Sequence, residues 1–204
     1  VTVNGSPLLE SLLTRLEATG VRRVFISVHY LAEQIEDFVQ SRSNNCDVRT
    51  VREKTRLGTA GALGLLPKTL QQPILVINAD IVSQVDYTAL HSFHILHGFD
   101  ATLAVANYET EIPYGVVRQN DDGLFEGIEE KPVIRNFVAA GIYYLSPEFC
   151  SMVGDGVPID MPDLLNRGRE AGLKIGLFPL HEYWRDVGRP EDIEAAEEEL
   201  NGAG

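Results

Sequence analysis

The 204-residue chain is 44% hydrophobic and 23% charged, with 18 Gly and 10 Pro, which excludes a disordered, collagen-like or low-complexity polymer. Its length fits one domain, and no apolar run approaches the ~18 residues of a membrane span. A formal net charge of −13 repels nucleic-acid phosphates and anionic membranes, so neither is expected as a partner.

In chain order, apolar residues at 8, 9, 12, 13 and 16 predict a helix over Pro7 to Thr19, with Ser6 as N-cap and Gly20 as its stop. Val21 to Val28 predicts a β-branched strand, Leu31 to Phe38 a helix, Cys46 to Arg52 a short strand and Thr59 to Leu66 a helix. Ile74 to Asn78 is a buried strand, Tyr87 to His97 a helix and Ala101 to Ala106 a strand. This alternation implies parallel pairing and an α/β, Rossmann-like, doubly wound, mostly parallel sheet. The rhythm then changes. Gly115 to Arg118 and Leu124 to Ile128 read as a hairpin around Asn120-Asp121-Asp122-Gly123, a small antiparallel insertion. Phe137 to Leu145 reads as a buried strand, Met161 to Ala171 as a helix, Lys174 to Phe178 as a strand and Pro190 to Leu200 as a helix. Glu191 to Glu199 holds six carboxylates in nine residues, a solvated helix face. Cys46 and Cys150 lack metal-ligand spacing and read as two reduced thiols of a cytoplasmic protein.

Ligands of open α/β sheets sit outside the carboxyl ends of the strands. Asp80 ends the run Ile74 to Ala79, where a carboxylate can hold Mg²⁺ against phosphates or, alternatively, only form a turn. Asp186 follows Trp184-Arg185 and precedes Gly188; the competing reading is a turn salt-bridged to Arg185 or Arg189. Lys131, in Glu129-Glu130-Lys131-Pro132, is placed to act as a phosphate-binding point charge or to be a solvated turn. Leu57-Gly58-Thr59-Ala60-Gly61 opens a helix after a strand, where free N–H groups and close approach suit a phosphate or a flat base; tight helix packing is the alternative. Its glycines fit neither a dinucleotide fingerprint nor a P-loop. His91, His94 and His97 drift around one helix and read as surface histidines.

These pieces occur in a recognisable order: Pro7-Leu8-Leu9-Glu10, His29-Tyr30-Leu31-Ala32-Glu33-Gln34-Ile35, Leu57-Gly58-Thr59-Ala60-Gly61, Asn78-Ala79-Asp80, Pro113-Tyr114-Gly115-Val116-Val117, Glu129-Glu130-Lys131-Pro132, Ala140-Gly141-Ile142-Tyr143 and Trp184-Arg185-Asp186-Val187-Gly188. Together they resemble the sugar-phosphate nucleotidyltransferases, the NDP-sugar pyrophosphorylases, and most of all their mannose-1-phosphate guanylyltransferase-like members. The resemblance implies transfer of a nucleoside monophosphate from a nucleoside triphosphate, GTP favoured, to a hexose 1-phosphate, giving a nucleotide-sugar and pyrophosphate. It further implies Mg²⁺ on Asp80 and Asp186, Lys131 on the sugar phosphate and Glu130 on the sugar hydroxyls. Gly115 and Gly141 would line the substrate, and Gly58 and Thr59 would lie near the base. The implied setting is cytoplasmic, the implied partners are these small molecules, and a homo-oligomer stays open.

Three departures bear on this. The family's strand and G-G-x-G-T-R-L loop, which wraps the triphosphate, should precede Pro7 and is missing. The expectation is therefore a single nucleotidyltransferase domain over 1–204 that lacks a central strand and has little activity by itself. Ala79 replaces the usual Gly, and Ala139 stands where many members have a sugar-contacting Asn. Two other readings compete: an inactive sensor that binds a sugar phosphate or nucleotide-sugar, and a glycosyltransferase, which would carry D-x-D where this chain has Asn78-Ala79-Asp80.

Overall fold

The computed structural model describes residues 2–3, 6–43, 45–188 and 190–202. Strands are β1 (Thr2–Val3), β2 (Ser6–Pro7), β3 (Arg23–Val28), β4 (Asp47–Arg52), β5 (Ile74–Ile77), β6 (Ile81–Ser83), β7 (Ala101–Glu111), β8 (Gly115–Gln119), β9 (Phe125–Glu130), β10 (Val133–Leu145), β11 (Ile175–Pro179) and β12 (Trp184–Asp186). Helices are α1 (Leu8–Ala18), α2 (Ala32–Ser41), α3 (Gly58–Gly61, continued by a 3₁₀ turn over Ala62–Leu65), α4 (Tyr87–His97), α5 (Pro147–Ser151), α6 (Met161–Glu170) and α7 (Pro190–Gly202). The first helix starts at Leu8 with Pro7 in the N-cap position, one residue later than the sequence places it.

The central sheet runs β11-β7-β10-β5. β11 is parallel to β7, while β10 is antiparallel to both neighbours. Three of its four strands therefore point the same way, and the antiparallel section extends beyond the β8–β9 hairpin into the sheet itself. Alternate residues face opposite cores, as a sheet covered on both sides requires. Ala101, Tyr143 and Leu145 pack with Phe149, Met161 and Leu164. Ala104, Ala140 and Ile142 pack with Leu16, Val85 and Leu90. Burial in β10 begins only at Ala140; Phe137, expected inside, is 58% exposed on an arm formed with the outer half of β7. His94 is a second correction. It is buried beside Tyr87 and Leu90 on the inner stripe of α4, and its Nδ1 lies 2.9 Å from Thr102 Oγ1.

β3 and β4 pair in parallel as a separate two-stranded sheet. Between β3 and β5 lies an elongated apolar slot of about 530 Å³. Leu9, Leu12, Leu13 and Leu16 of α1 line it, as do Ala60, Leu63 and Leu66 of the α3 region, together with the edges of β3 and β5. In consequence Ile74–Ile77, four consecutive aliphatic residues, are only half-buried. Among the described residues no helix is long and apolar enough to cross a membrane.

Candidate active site

The two candidate metal-binding aspartates lie 106 positions apart in sequence and meet through one short ladder. β12 pairs antiparallel with β6, placing Asp186 opposite Ile81, the neighbour of Asp80. The Val187 N–H donates to the Asp80 carbonyl at 2.8 Å and locks the end of the pair. The Trp184 indole N–H donates to the Ala140 carbonyl at 2.8 Å, which anchors β12 to β10.

Both carboxylates turn toward the backbone at Gly188. A Cβ built there would lie 3.1 Å from Asp186 Oδ1 and 4.0 Å from Asp80 Oδ2, so the two oxygens are within about 7 Å of one another, the sum of those distances. The Gly188 N–H donates to Asp186 Oδ1 at 2.9 Å. Arg185 does not neutralise Asp186. Its guanidinium turns to α7 and meets Glu199 at 2.6 Å and Asp192 at 3.7 Å. Arg189, the other partner considered for Asp186, lies outside the described residues. The acidic helix α7 is thereby more than a solvated face: it draws a cation away from the aspartates, and its Ala196 is fully buried.

These residues border an open cleft of about 830 Å³, lined also by Asn107, Tyr108, Val138, Ala139 and Trp184. Two carboxylates at one opening suit Mg²⁺, which takes one or two from protein and completes its octahedron with water and phosphate oxygens. No trio of His, Cys, Asp or Glu side chains among the described residues is grouped to hold a metal without such help.

The remaining expected residues fall in three other places. Gly115 faces Glu130 in the β8–β9 ladder, and a Cβ on Gly115 would lie 3.0 Å from Glu130 Oε2. Lys131 follows at the corner into β10 with φ +48°, an uncommon conformation for a residue bearing a Cβ, and its N–H donates to the Tyr114 carbonyl at 3.2 Å. This group stands on the arm, and neither Lys131 nor Glu130 lines the cleft of the aspartates. Gly141 has φ +70° at the register shift of β10, where a Cβ would lie 3.0–3.2 Å from Asn78 side-chain atoms. Asn78 and Ala79 line the slot and Asp80 the cleft, so the end of β5 joins the two spaces.

Gly58 and Thr59 open onto the slot. Gly58 has φ +75°. Three of the amide groups here, which the sequence leaves free for a phosphate, already have acceptors. Leu57 N–H donates to Glu53 Oε2 at 2.9 Å, Thr59 N–H to Asp160 Oδ1 at 2.9 Å and Ala60 N–H to the Ile159 carbonyl at 3.0 Å. Gly61 and Gly64 serve packing, since a Cβ would lie 2.9 Å from the Val157 carbonyl oxygen and 2.2 Å from the Gly154 carbonyl oxygen respectively. Sequence reasoning missed Glu53 and Asp160. Glu53 directly follows the last residue of β4, a strand-end position, but β4 itself has only Val48 and Val51 as apolar residues and so gives a weak signal.

A family model described as "Nucleotidyl transferase" matches residues 1–202. The mannose-1-phosphate guanylyltransferase catalytic subunit beta of Drosophila pseudoobscura pseudoobscura is 30% identical over 194 residues, covering 92% of this chain and 52% of that protein. The mannose-1-phosphate guanyltransferase of Schizosaccharomyces pombe is 29% identical over 201 residues, covering 94% and 55%. The chain thus spans about half the length of the curated relatives it matches. Among solved structures, HddC from Yersinia pseudotuberculosis superposes with a TM-score of 0.75 at 24% identity, over 98% of this chain and 88% of that one, a likeness of fold.

Proposed function

The chain belongs to the nucleotidyl transferase family, and from that premise we propose that it serves transfer of a nucleoside monophosphate from a nucleoside triphosphate, GTP favoured, to a hexose 1-phosphate. The carrying observation is the pair of aspartate oxygens that face one opening at Gly188. A phosphate oxygen of the sugar phosphate forms a bond to the α-phosphorus as the α–β bridging bond breaks, and pyrophosphate leaves with that electron pair. Asp80 and Asp186 are the residues that would hold Mg²⁺, which when bound neutralises phosphate oxygens. Positioning and charge supply most of the catalysis in such reactions.

Each of the chain's own groups has a part in this reading. Lys131 gives a positive charge to the sugar phosphate from the corner between β9 and β10, where its backbone holds φ +48°. Glu130 accepts hydrogen bonds from sugar hydroxyls beside Gly115, whose missing Cβ makes way for Ile128 Cδ1 and the Glu130 carboxylate, 2.8 and 3.0 Å from where it would lie. Gly141 keeps Asn78 close to the substrate end of β5. Gly58 and Thr59 take the flat face of the base, because their neighbouring amides are engaged. The names of the relatives support guanine and mannose 1-phosphate as the first pair to test. The unpaired Cys46 and Cys150 accord with a cytoplasmic setting.

The reading treats 1–204 as a single nucleotidyltransferase domain whose sheet is completed by a further strand. The slot between β3 and β5 supports this, with two strand edges to pair and leucines on both faces, the surroundings of a buried parallel strand. That strand would carry the triphosphate-binding loop. The open slot also favours the second reading, an inactive binder of sugar phosphate or nucleotide-sugar.

³¹P NMR of product mixtures decides between them. A polypeptide with the slot filled should convert GTP and mannose 1-phosphate, or another matched pair, to pyrophosphate and a nucleotide-sugar, whereas residues 1–204 alone should turn over little. Sugar-phosphate binding without product from any pair would replace transfer by the sensor. Rapid pyrophosphate release by residues 1–204 would overturn the need for a further strand.

A further inference from the structure

Asp160 occupies the N-cap of α6, where an aspartate ordinarily accepts hydrogen bonds from its own helix's first amides. It makes no such bond. Its Oδ1 instead accepts from Thr59 N–H at 2.9 Å and lies 2.6 Å from where a Cβ on Gly58 would be. Thr59 returns the service, because its Oγ1 accepts the Met161 N–H of α6 at 2.8 Å. Backbone bonds from Ile159 N–H to the Leu57 carbonyl, 2.9 Å, and from Ala60 N–H to the Ile159 carbonyl, 3.0 Å, complete the zip. Two elements about a hundred residues apart have exchanged caps.

The consequence falls on the turn. Gly58 and Thr59 are exposed, and Gly58 holds a left-handed conformation that a free glycine adopts only part of the time. Without a tether the turn would sample many states, and a ligand would meet the entropic cost of ordering it. The tether removes that cost beforehand. It also places a carboxylate where a phosphate would otherwise seek an amide, which leaves a neutral base as the ligand the turn suits.

We propose that Asp160 is a positioning residue for the nucleotide-base subsite, holding the Gly58–Thr59 turn in the conformation against which a base packs. This rests on the reading of Gly58 and Thr59 as base contacts. Ligand-observed NMR titrations of GTP into the 204-residue chain test it, with Asp160→Ala, Asp160→Asn and, as a stability control, Ser146→Ala. Ser146 caps α5 through a 3.2 Å bond from Phe149 N–H and belongs to neither cleft nor slot. Asp160→Ala should weaken GTP about tenfold, a factor typical of lost preorganisation, and speed exchange of the Thr59 amide. Asp160→Asn keeps an Oδ1 acceptor for Thr59 N–H and should stay within about twofold of wild type, the scale of a preserved hydrogen bond. Ser146→Ala should lower the melting temperature without weakening GTP. Wild-type affinity in Asp160→Ala, or an equal loss in Ser146→Ala, overturns the positioning role while the base reading stands. Failure of the wild-type chain to bind GTP, any other nucleoside triphosphate or the nucleoside alone, which needs no triphosphate-binding loop, overturns the base reading, and the positioning role falls with it.

Discussion

Replacing Gly58 by alanine separates the two demands that its position makes. The first is conformational: at φ +75° a Cβ costs about 1–2 kcal/mol. The second is contact, because the new atom would lie 2.6 Å from Asp160 Oδ1 and 2.7 Å from the Ile159 carbonyl oxygen. The carboxylate can swing away, at the loss of its bond to Thr59 N–H. Between exposed partners that bond contributes roughly 1 kcal/mol. The Ile159 carbonyl cannot swing, since it is backbone and already accepts from Ala60 N–H. Relief of the clash adds about another 1 kcal/mol, at the low end of overpacking costs. The stiffer unfolded chain offsets some 0.4–1 kcal/mol. The net loss is about 2–3.6 kcal/mol, or about 4–14 °C of melting temperature for a domain of this size. Gly20→Ala is the control, because Gly20 has φ +82° with nothing within 4 Å of a Cβ, and only the conformational part remains. Urea titrations followed by circular dichroism measure both variants. Equal losses for Gly58→Ala and Gly20→Ala would refute the claim that Asp160 and Ile159 enclose the turn.

Gly188→Ala puts a methyl group between the two carboxylates and should raise the Mg²⁺ needed for half-maximal binding or turnover about tenfold, equivalent to about 1.4 kcal/mol, with little change in melting temperature. The Arg42 guanidinium bonds the Glu17 carboxylate and holds its pKa down at about 2. A depressed carboxylate stabilises the fold above its unfolded pKa of 4.5, and that contribution disappears as pH falls from there through 2. Arg42→Met should therefore shift the acid-unfolding midpoint to higher pH, as read by fluorescence. Burial pushes the Cys150 thiol up to about 11 and raises that of Cys46, so the native chain at pH 8 should react with a thiol reagent far more slowly than the urea-unfolded chain. Gly168→Ala would set a Cβ 2.3 Å from the buried Phe149 ring and should destabilise by about 1–3 kcal/mol in the same urea assay.

What the sequence revealed and what it hid divide along physical lines. Local patterns carried their elements well: the stripe of α4 over Tyr87 to His97 and the hairpin turn at Asn120 to Gly123 lie where periodicity and turn chemistry put them. Strand direction is not local, so the antiparallel course of β10 between β5 and β7 left no trace in its apolar run. β6 and β12 have three residues each, too few for an alternation to register, yet their ladder is what brings Asp80 and Asp186 together. His94, grouped with His91 and His97 as a surface histidine because the three drift around the helix, instead continues the inward stripe of Tyr87 and Leu90 and finds a partner in Thr102. Asp160 occupies an ordinary N-cap position, before a helix with a proline in its first turn. Only folding shows that its carboxylate is spent on a turn 101 residues away.

The central claim is that Asp80 and Asp186 together form one divalent-cation site, and Mn²⁺ titration followed by electron paramagnetic resonance tests it most directly. With GTP present, the wild-type chain is predicted to bind one Mn²⁺ that Mg²⁺ displaces, and both Asp80→Asn and Asp186→Asn should lose it while remaining folded. Unchanged Mn²⁺ binding in either variant would contradict the shared site.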